Sequence, residues 1–141
     1  MDTHAKPLEK ALLVEDNDIM QKIHSLYLKE LGFEVDLADT GYKALELAAQ
    51  QDYHCILLDI GLPDITGESV LAAIRYRERA TGQHVSIIVN SAHASPSLLK
   101  RCRESGAEAV FEKPLTIEQV REALAPTRQS EKGNGSEVDG Q

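Results

Sequence analysis

The chain has 141 residues, 42% hydrophobic and 27% charged, with a formal net charge of -8. That length and mixture suit one globular domain with a substantial core, and the negative balance leaves no basic stripe to offset phosphate repulsion, which excludes nucleic acid as the main partner. Cys55 and Cys102 make no disulfide framework, and no apolar run approaches the roughly 18 residues of a membrane span, so a cytoplasmic protein without membrane contact is expected.

Residues 1–9 are a polar leader. Ala11, Leu12, Leu13 and Val14 form an apolar run that opens onto Glu15, Asp16, Asn17 and Asp18, the pattern of a buried strand followed by carboxylates. From Asp18 the apolar spacing turns helical through Met20, Ile23, Tyr27 and Leu31, and Gly32 closes the segment. Phe33, Val35 and Leu37 alternate with Glu34, Asp36 and Ala38, which predicts a strand near a sheet edge. Thr40 caps a helix over 41–50.

Cys55, Ile56, Leu57 and Leu58 run into Asp59, and a turn with Gly61 and Pro63 follows at once. Such a run reads as a strand buried on both faces, with Asp59 emerging at its carboxyl end. A carboxylate there is a metal ligand, a nucleophile or a helix cap. A helix over about 68–80, a strand over 85–89 ending at Asn90 and Ser91, and a helix begun by Ser95 and Pro96 come next. Ala109, Val110 and Phe111 form a short fifth strand before Lys113 and Pro114. Thr116 and Gln119 make a capping box for the last helix, with Ile117, Val120 and Leu124 as its apolar stripe. From Pro126 to residue 141 the composition is that of a disordered tail.

Five strands alternating with five helices imply an α/β fold, a doubly wound parallel sheet with right-handed crossovers. All strand carboxyl ends then share one edge, which collects Glu15, Asp16, Asp59, Ser91 and Lys113. Sheet order 2-1-3-4-5, as in flavodoxin-like folds, would set the first and third strands side by side at the switch point. Three carboxylates converging there repel one another unless a cation neutralises them, and a hard divalent ion with open positions fits, so a Mg²⁺ site is predicted. An ammonium and a hydroxyl beside it suit the oxygens of a phosphoryl group in transfer, with Asp59 as nucleophile. Taken singly, the same residues have plainer readings: Asp16 as the cap of the first helix, Lys113-Pro114 as a turn. Of five histidines, His24 has polar neighbours and is expected at the surface, and only His93 lies near the predicted site.

Over 10–125 these residues resemble the receiver domain of two-component response regulators. The family pattern is an acidic pair after the first strand, an Asp with Pro four and Gly eight residues on, Ser or Thr after the fourth strand, and Lys-Pro after the fifth. Here those are Glu15-Asp16, Asp59 with Pro63 and Gly67, Ser91-Ala92 and Lys113-Pro114. The resemblance implies a CheY-like fold, Mg²⁺ held by Asp16, Asp59 and the Gly61 carbonyl, and Glu15 acting mostly through metal-bound water. It implies that Ser91 and Lys113 hold the phosphoryl oxygens, that the Lys113–Pro114 bond is cis, and that Gly61 and His93 tune an autophosphatase reaction. The implied partners are a histidine kinase or a histidine phosphotransfer domain. A homodimer through the fourth helix, fifth strand and fifth helix is the family's usual self-contact.

The stretch from Leu57 to Gly67 and the opening Val14-Glu15-Asp16-Asn17 look most like receivers of hybrid sensor histidine kinases. One position departs from the pattern. The switch aromatic, three residues before the lysine, is Val110 here, and Phe111 has the opposite strand parity. A relay that receives and passes on phosphate tolerates that loss better than an output switch does. Two other readings stand beside it. A flavodoxin-like nucleotide binder would need a phosphate loop where this chain has Glu15 to Asp18, and a phosphorylation-independent adaptor would have little use for the acidic, hydroxyl and lysine set.

Overall fold

The computed structural model describes residues 8–129; most of the leader and the segment 130–141 lie outside the described residues. In chain order the elements are β1 (Glu9–Val14), α1 (Asp18–Glu30), β2 (Phe33–Ala38), α2 (Gly41–Gln50), β3 (Cys55–Asp59), α3 (Gly67–Thr81), β4 (Ser86–Ser91), α4 (Pro96–Glu104), β5 (Ala109–Glu112) and α5 (Ile117–Gln129). All five strands are parallel, in the order β2-β1-β3-β4-β5. That is the predicted doubly wound sheet, with β1 and β3 adjacent and Val14 opposite Leu58.

Strand periodicity sorts the core into two layers. Leu12, Val14, Ile56, Leu58, Ile87 and Val89 face α2, α3 and α4 through Ala44, Val70, Leu71, Ile74, Leu98 and Cys102. Ala11, Leu13, Cys55, Leu57 and Ile88 face α1 and α5 through Leu28, Val120 and Leu124. Every residue of β3 and β4 is buried, as unbroken apolar runs require, whereas edge strand β2 is buried only in part. Both cysteines are buried, and neither is in a disulfide.

The helices begin where their caps predict. Thr40 accepts a hydrogen bond from Lys43 N, Ser95 from Leu98 N with Pro96 in the first turn, and Thr116 and Gln119 bond reciprocally. Gly32 at φ +97° closes α1 and Gly106 at φ +105° follows α4, conformations that favour glycine. The cap of α1 is Asn17, whose Oδ1 accepts from Met20 N at 2.9 Å, so the capping reading of Asp16 fails.

Three expectations need correction. Helix α5 runs through Pro126 to Gln129, four residues into the expected tail, although an interior proline lacks the N–H of the helical ladder and crowds the preceding turn. Strand β4 ends at Asn90 and Ser91 as expected, where β5 supplies Phe111 and Glu112 as their partners, but it begins at Ser86, one residue later than expected. His24, expected at the surface, is 2% exposed. The stripe of Met20, Ile23, Tyr27 and Leu31 proves to be the half-buried flank of α1, while His24 and Leu28, one residue further round, form its buried centre.

Leu57 is 1% exposed at the middle of the central strand. We expect Leu57→Ala to cost about 2–5 kcal/mol, the usual range for a truncated core leucine. Urea denaturation measures it, and a loss below about 1 kcal/mol would contradict a tightly packed α1/α5 layer.

Candidate functional site

The carboxyl ends of β1, β3, β4 and β5 form one cleft, and Glu15, Asp16, Asp59, Gly61, Ser91, His93 and Lys113 all line it. Register forces the first of these together, since β1 pairs directly with β3. Glu15, Asp16 and Asp59 each present a carboxylate oxygen within 4.8 Å of the others. Glu15 is 1% and Asp59 5% exposed, while Asp16 is open to solvent.

Glu15 carries the electrostatic cost of this convergence. Its Oε2 accepts from Asn17 N at 3.1 Å, but Oε1 is buried without a hydrogen-bond partner. Burial and, after it, the charge of Asp59 push its carboxyl from the ordinary 4.5 up to about 7; Asn17 N–H and Lys113 oppose them. Asp59 Oδ1 accepts from Gly61 N at 3.1 Å, and Oδ2 lies 3.4 Å from Lys113 Nζ. Lys113 is itself fixed at its backbone, where N–H donates to Ser91 O at 2.8 Å, and the Lys113–Pro114 peptide is cis.

Ser91 lines the cleft, yet its hydroxyl is engaged with its own loop. Oγ donates to His93 O at 2.9 Å and accepts from His93 N at 3.2 Å. Val110 lies outside the cleft, buried in the layer beneath α4, whereas Phe111 packs against the α1/α5 layer.

The turn after Asp59 is held from two sides. A Cβ on Gly67 would sit 2.6 Å from Ile60 Cα and 2.8 Å from Asp59 O, so only glycine fits there without moving the backbone. The Asp64 carboxylate accepts from Gly41 N and Tyr42 N, both at 2.8 Å, tying this turn to the start of α2. A Cβ on Gly61, by contrast, meets nothing within 4 Å.

Three polar residues near the cleft escaped the sequence reading. Asp64 ties its turn to the start of α2 through two backbone N–H groups. Asn90, 1% exposed and paired in register with Asp59, has neither amide atom hydrogen-bonded. His24 is buried with Nδ1 unpartnered, and it feels the charges of both Lys113 and Asp59.

The family described as the response regulator receiver domain matches residues 11–125, and the chain belongs to that family. It is 32% identical over 121 residues to hybrid signal transduction histidine kinase I of Dictyostelium discoideum, covering 82% of this chain and 7% of that protein. The chain thus spans only 6–7% of the length of the hybrid kinases it resembles. The polar-differentiation response regulator DivK of Brucella ovis is 28% identical, with 82% of this chain and 93% of DivK covered. Among solved structures, the receiver domain of a Pseudomonas aeruginosa sensor histidine kinase, with a magnesium ion coordinated in its active-site cleft, is 32% identical at a TM-score of 0.74, covering 84% of this chain and 97% of that one. Among the described residues no helix is long and apolar enough to cross a membrane.

Two outcomes are expected. The folded state holds the Glu15 proton to higher pH than the unfolded chain does, so this group's stabilisation is complete below about pH 4.5 and lost as pH rises through about 7. Without divalent ions the loss is on the order of 3 kcal/mol, read as the difference between wild type and Glu15→Gln in urea denaturation at pH 5 and pH 8. Parallel behaviour of the two proteins would contradict it. Gly67→Ala overpacks the Asp59 turn and is expected to destabilise by about 1–3 kcal/mol, with amide shifts of Asp59 and Ile60 in NMR spectra; an unchanged melting curve would overturn the clash.

Proposed function

We propose that the chain is a phosphorelay receiver that takes a phosphoryl group from a phosphohistidine onto Asp59 and hands it on. The observation that carries this reading is the convergence of Glu15, Asp16 and Asp59 within 4.8 Å, with Lys113 Nζ on the Asp59 carboxylate.

The donor set fits Mg²⁺. The oxygens are hard and anionic, and Glu15 Oε1 is buried without a partner. Asp16, Asp59 and the Gly61 carbonyl would hold the ion, with Glu15 acting through water. When bound, the ion supplies charge neutralisation for the carboxylates and the phosphoryl oxygens. The magnesium recorded in the Pseudomonas aeruginosa receiver supports the same assignment.

The protein's own residues do the rest. Gly61 N–H and Lys113 orient the two Asp59 oxygens, so that one attacks phosphorus while the P–N bond to the donor histidine breaks. The Lys113 ammonium stabilises charge on the transferring group. Ser91 donates to the phosphoryl group after exchanging its bond to His93 O. Gly61 and His93 flank the approach of a hydrolytic water and set how long the phosphate survives. Val110 leaves position 110 without the aromatic ring of an output switch, which favours a relay whose partners are a histidine kinase or a phosphotransfer domain. Val110 also favours a second reading, an adaptor that binds partners without phosphorylation, but Asp16, Asp59 and Lys113 would then have no use.

Incubation with a radiolabelled phosphohistidine donor tests the proposal. We expect labelling with Mg²⁺, none with EDTA, and none in Asp59→Asn. Full labelling of Asp59→Asn would misplace the site, and no labelling of wild type by any donor would favour the adaptor.

A further inference from the structure

We propose that Asp64 is a positioning residue for Asp59: by gripping the first turn of α2, it holds in place the turn that sets Gly61 against the Asp59 carboxylate. This rests on the reading of Asp59 as the phosphoacceptor, and it concerns a side chain that does not line the cleft.

Residues 61–66 join the end of β3 to α3, and little of their own substance holds them down. Gly61, Pro63, Asp64 and Thr66 are exposed, and only Leu62 and Ile65 reach the margin of the core. A connection with so few buried contacts moves unless something ties it. Its ends are tied through the backbone, where Ile60 N donates to Asn90 O and Gly67 N to Ile60 O, both at 3.0 Å. Between those points the tie to another element is Asp64, whose Oδ1 accepts from Gly41 N and Oδ2 from Tyr42 N, each at 2.8 Å.

The start of α2 is shaped to receive that carboxylate. A helix N-terminus leaves N–H groups without internal acceptors and favours negative charge, yet α2 has no acidic residue in its own first turn. Its cap, Thr40, takes Lys43 N at 3.0 Å, and Asp64 takes the two N–H groups before it. The next residue along the turn seats on the same spot. A Cβ on Gly41 would collide with Cγ1 of Ile65 and lie 3.1 Å from Val70 Cγ2, so a glycine there lets Ile65 close onto the helix. Two charge-assisted bonds and one apolar contact therefore pin the turn to α2, which is itself anchored through the buried Ala44.

Gly61 is what this pinning protects. Its N–H donates to Asp59 Oδ1 at 3.1 Å, and it has no side chain of its own and open space beside it. Lys113 Nζ lies 3.4 Å from the other oxygen, Oδ2, and one such contact does not fix the carboxylate plane. With Asp64 released from α2, Gly61 would drift and Asp59 would lose the donor that orients it. Attack on phosphorus depends on that orientation.

Three variants of the full chain separate this role from plain capping of α2. Asp64→Ala removes both acceptors, Asp64→Asn keeps one, and Thr40→Ala removes the helix's own cap while leaving the Asp64 bonds in place. In ¹⁵N-labelled protein without divalent ions, the backbone order parameter of Gly61 is expected to fall from about 0.85 to below about 0.6 in Asp64→Ala and to stay near about 0.85 in Thr40→Ala. Phosphorylation by acetyl phosphate in saturating Mg²⁺ is then timed by intact mass. Asp64→Ala is expected to react about tenfold more slowly, Asp64→Asn in between, and Thr40→Ala within about twofold of wild type. A folded Asp64→Ala with a rigid Gly61, or one that reacts at the wild-type rate, refutes the role. Equal losses in Asp64→Ala and Thr40→Ala also overturn it, since Asp64 would then be a helix cap alone. Should Asp64→Ala not fold, Asp64→Asn against Thr40→Ala decides by the same two measurements. A wild-type protein that takes no phosphate defeats the receiver reading instead, and the order parameters still decide whether Asp64 holds the turn.

Discussion

Three carboxylates are held within 4.8 Å by a backbone that cannot let them part. Glu15 and Asp59 leave neighbouring parallel strands whose register is fixed by Val14 opposite Leu58, and both strands are buried on their two faces. Sliding either strand would turn its apolar set toward the wrong layer. The repulsion is therefore met by other means, by Lys113 and by a proton on Glu15, rather than by separation. The folding energy of the core holds the three carboxylates together, where a cation would relieve their repulsion.

Stiffness around Asp59 follows from the same constraint. Gly67 lets the backbone of α3 close directly over Ile60, and Asp64 fastens the intervening turn to α2 through two backbone N–H groups. A nucleophile must wait at a fixed place if orientation is to contribute to its rate. Gly61, with open space beside it, is the exception in this turn, and side chains there could reach the cleft without disturbing the rest.

Much of this was legible in the chain itself. Unbroken apolar runs at β1, β3 and β4 announce burial on both faces, alternation at β2 announces an edge, and carboxylates at the run ends announce the cleft. What stayed hidden depended on partners distant in sequence. Asn90 reads only as the end of an apolar run, and its pairing with β5 has no local trace. Asp64 has no local signature because its acceptors' donors lie on α2. His24 was misplaced because polarity argued outward, and a helical stripe defined by four half-buried residues hides which neighbour points straight inward. The hydroxyl direction of Ser91 is set by two backbone atoms of His93 and has no periodic trace.

These particulars bear on where a change of charge at Asp59 would be felt. On the α4 side, Val110 packs with Val89, Leu98 and Cys102, and the Ser91 hydroxyl is turned to its own loop. That side holds an aliphatic wall with no ring to swing. On the α1 side, Lys113 touches Asp59, the following residues pass through a cis peptide to Leu115, and Leu115 O is bonded to Tyr27 beside His24. Polar contacts, unlike an aliphatic wall, respond to charge. On the proposed reading, then, loading Asp59 acts first on α1 and the lysine loop, next to the open cleft where a phosphohistidine has to enter. On that reading the chain suits exchange of a phosphoryl group there more than its report across the α4 face.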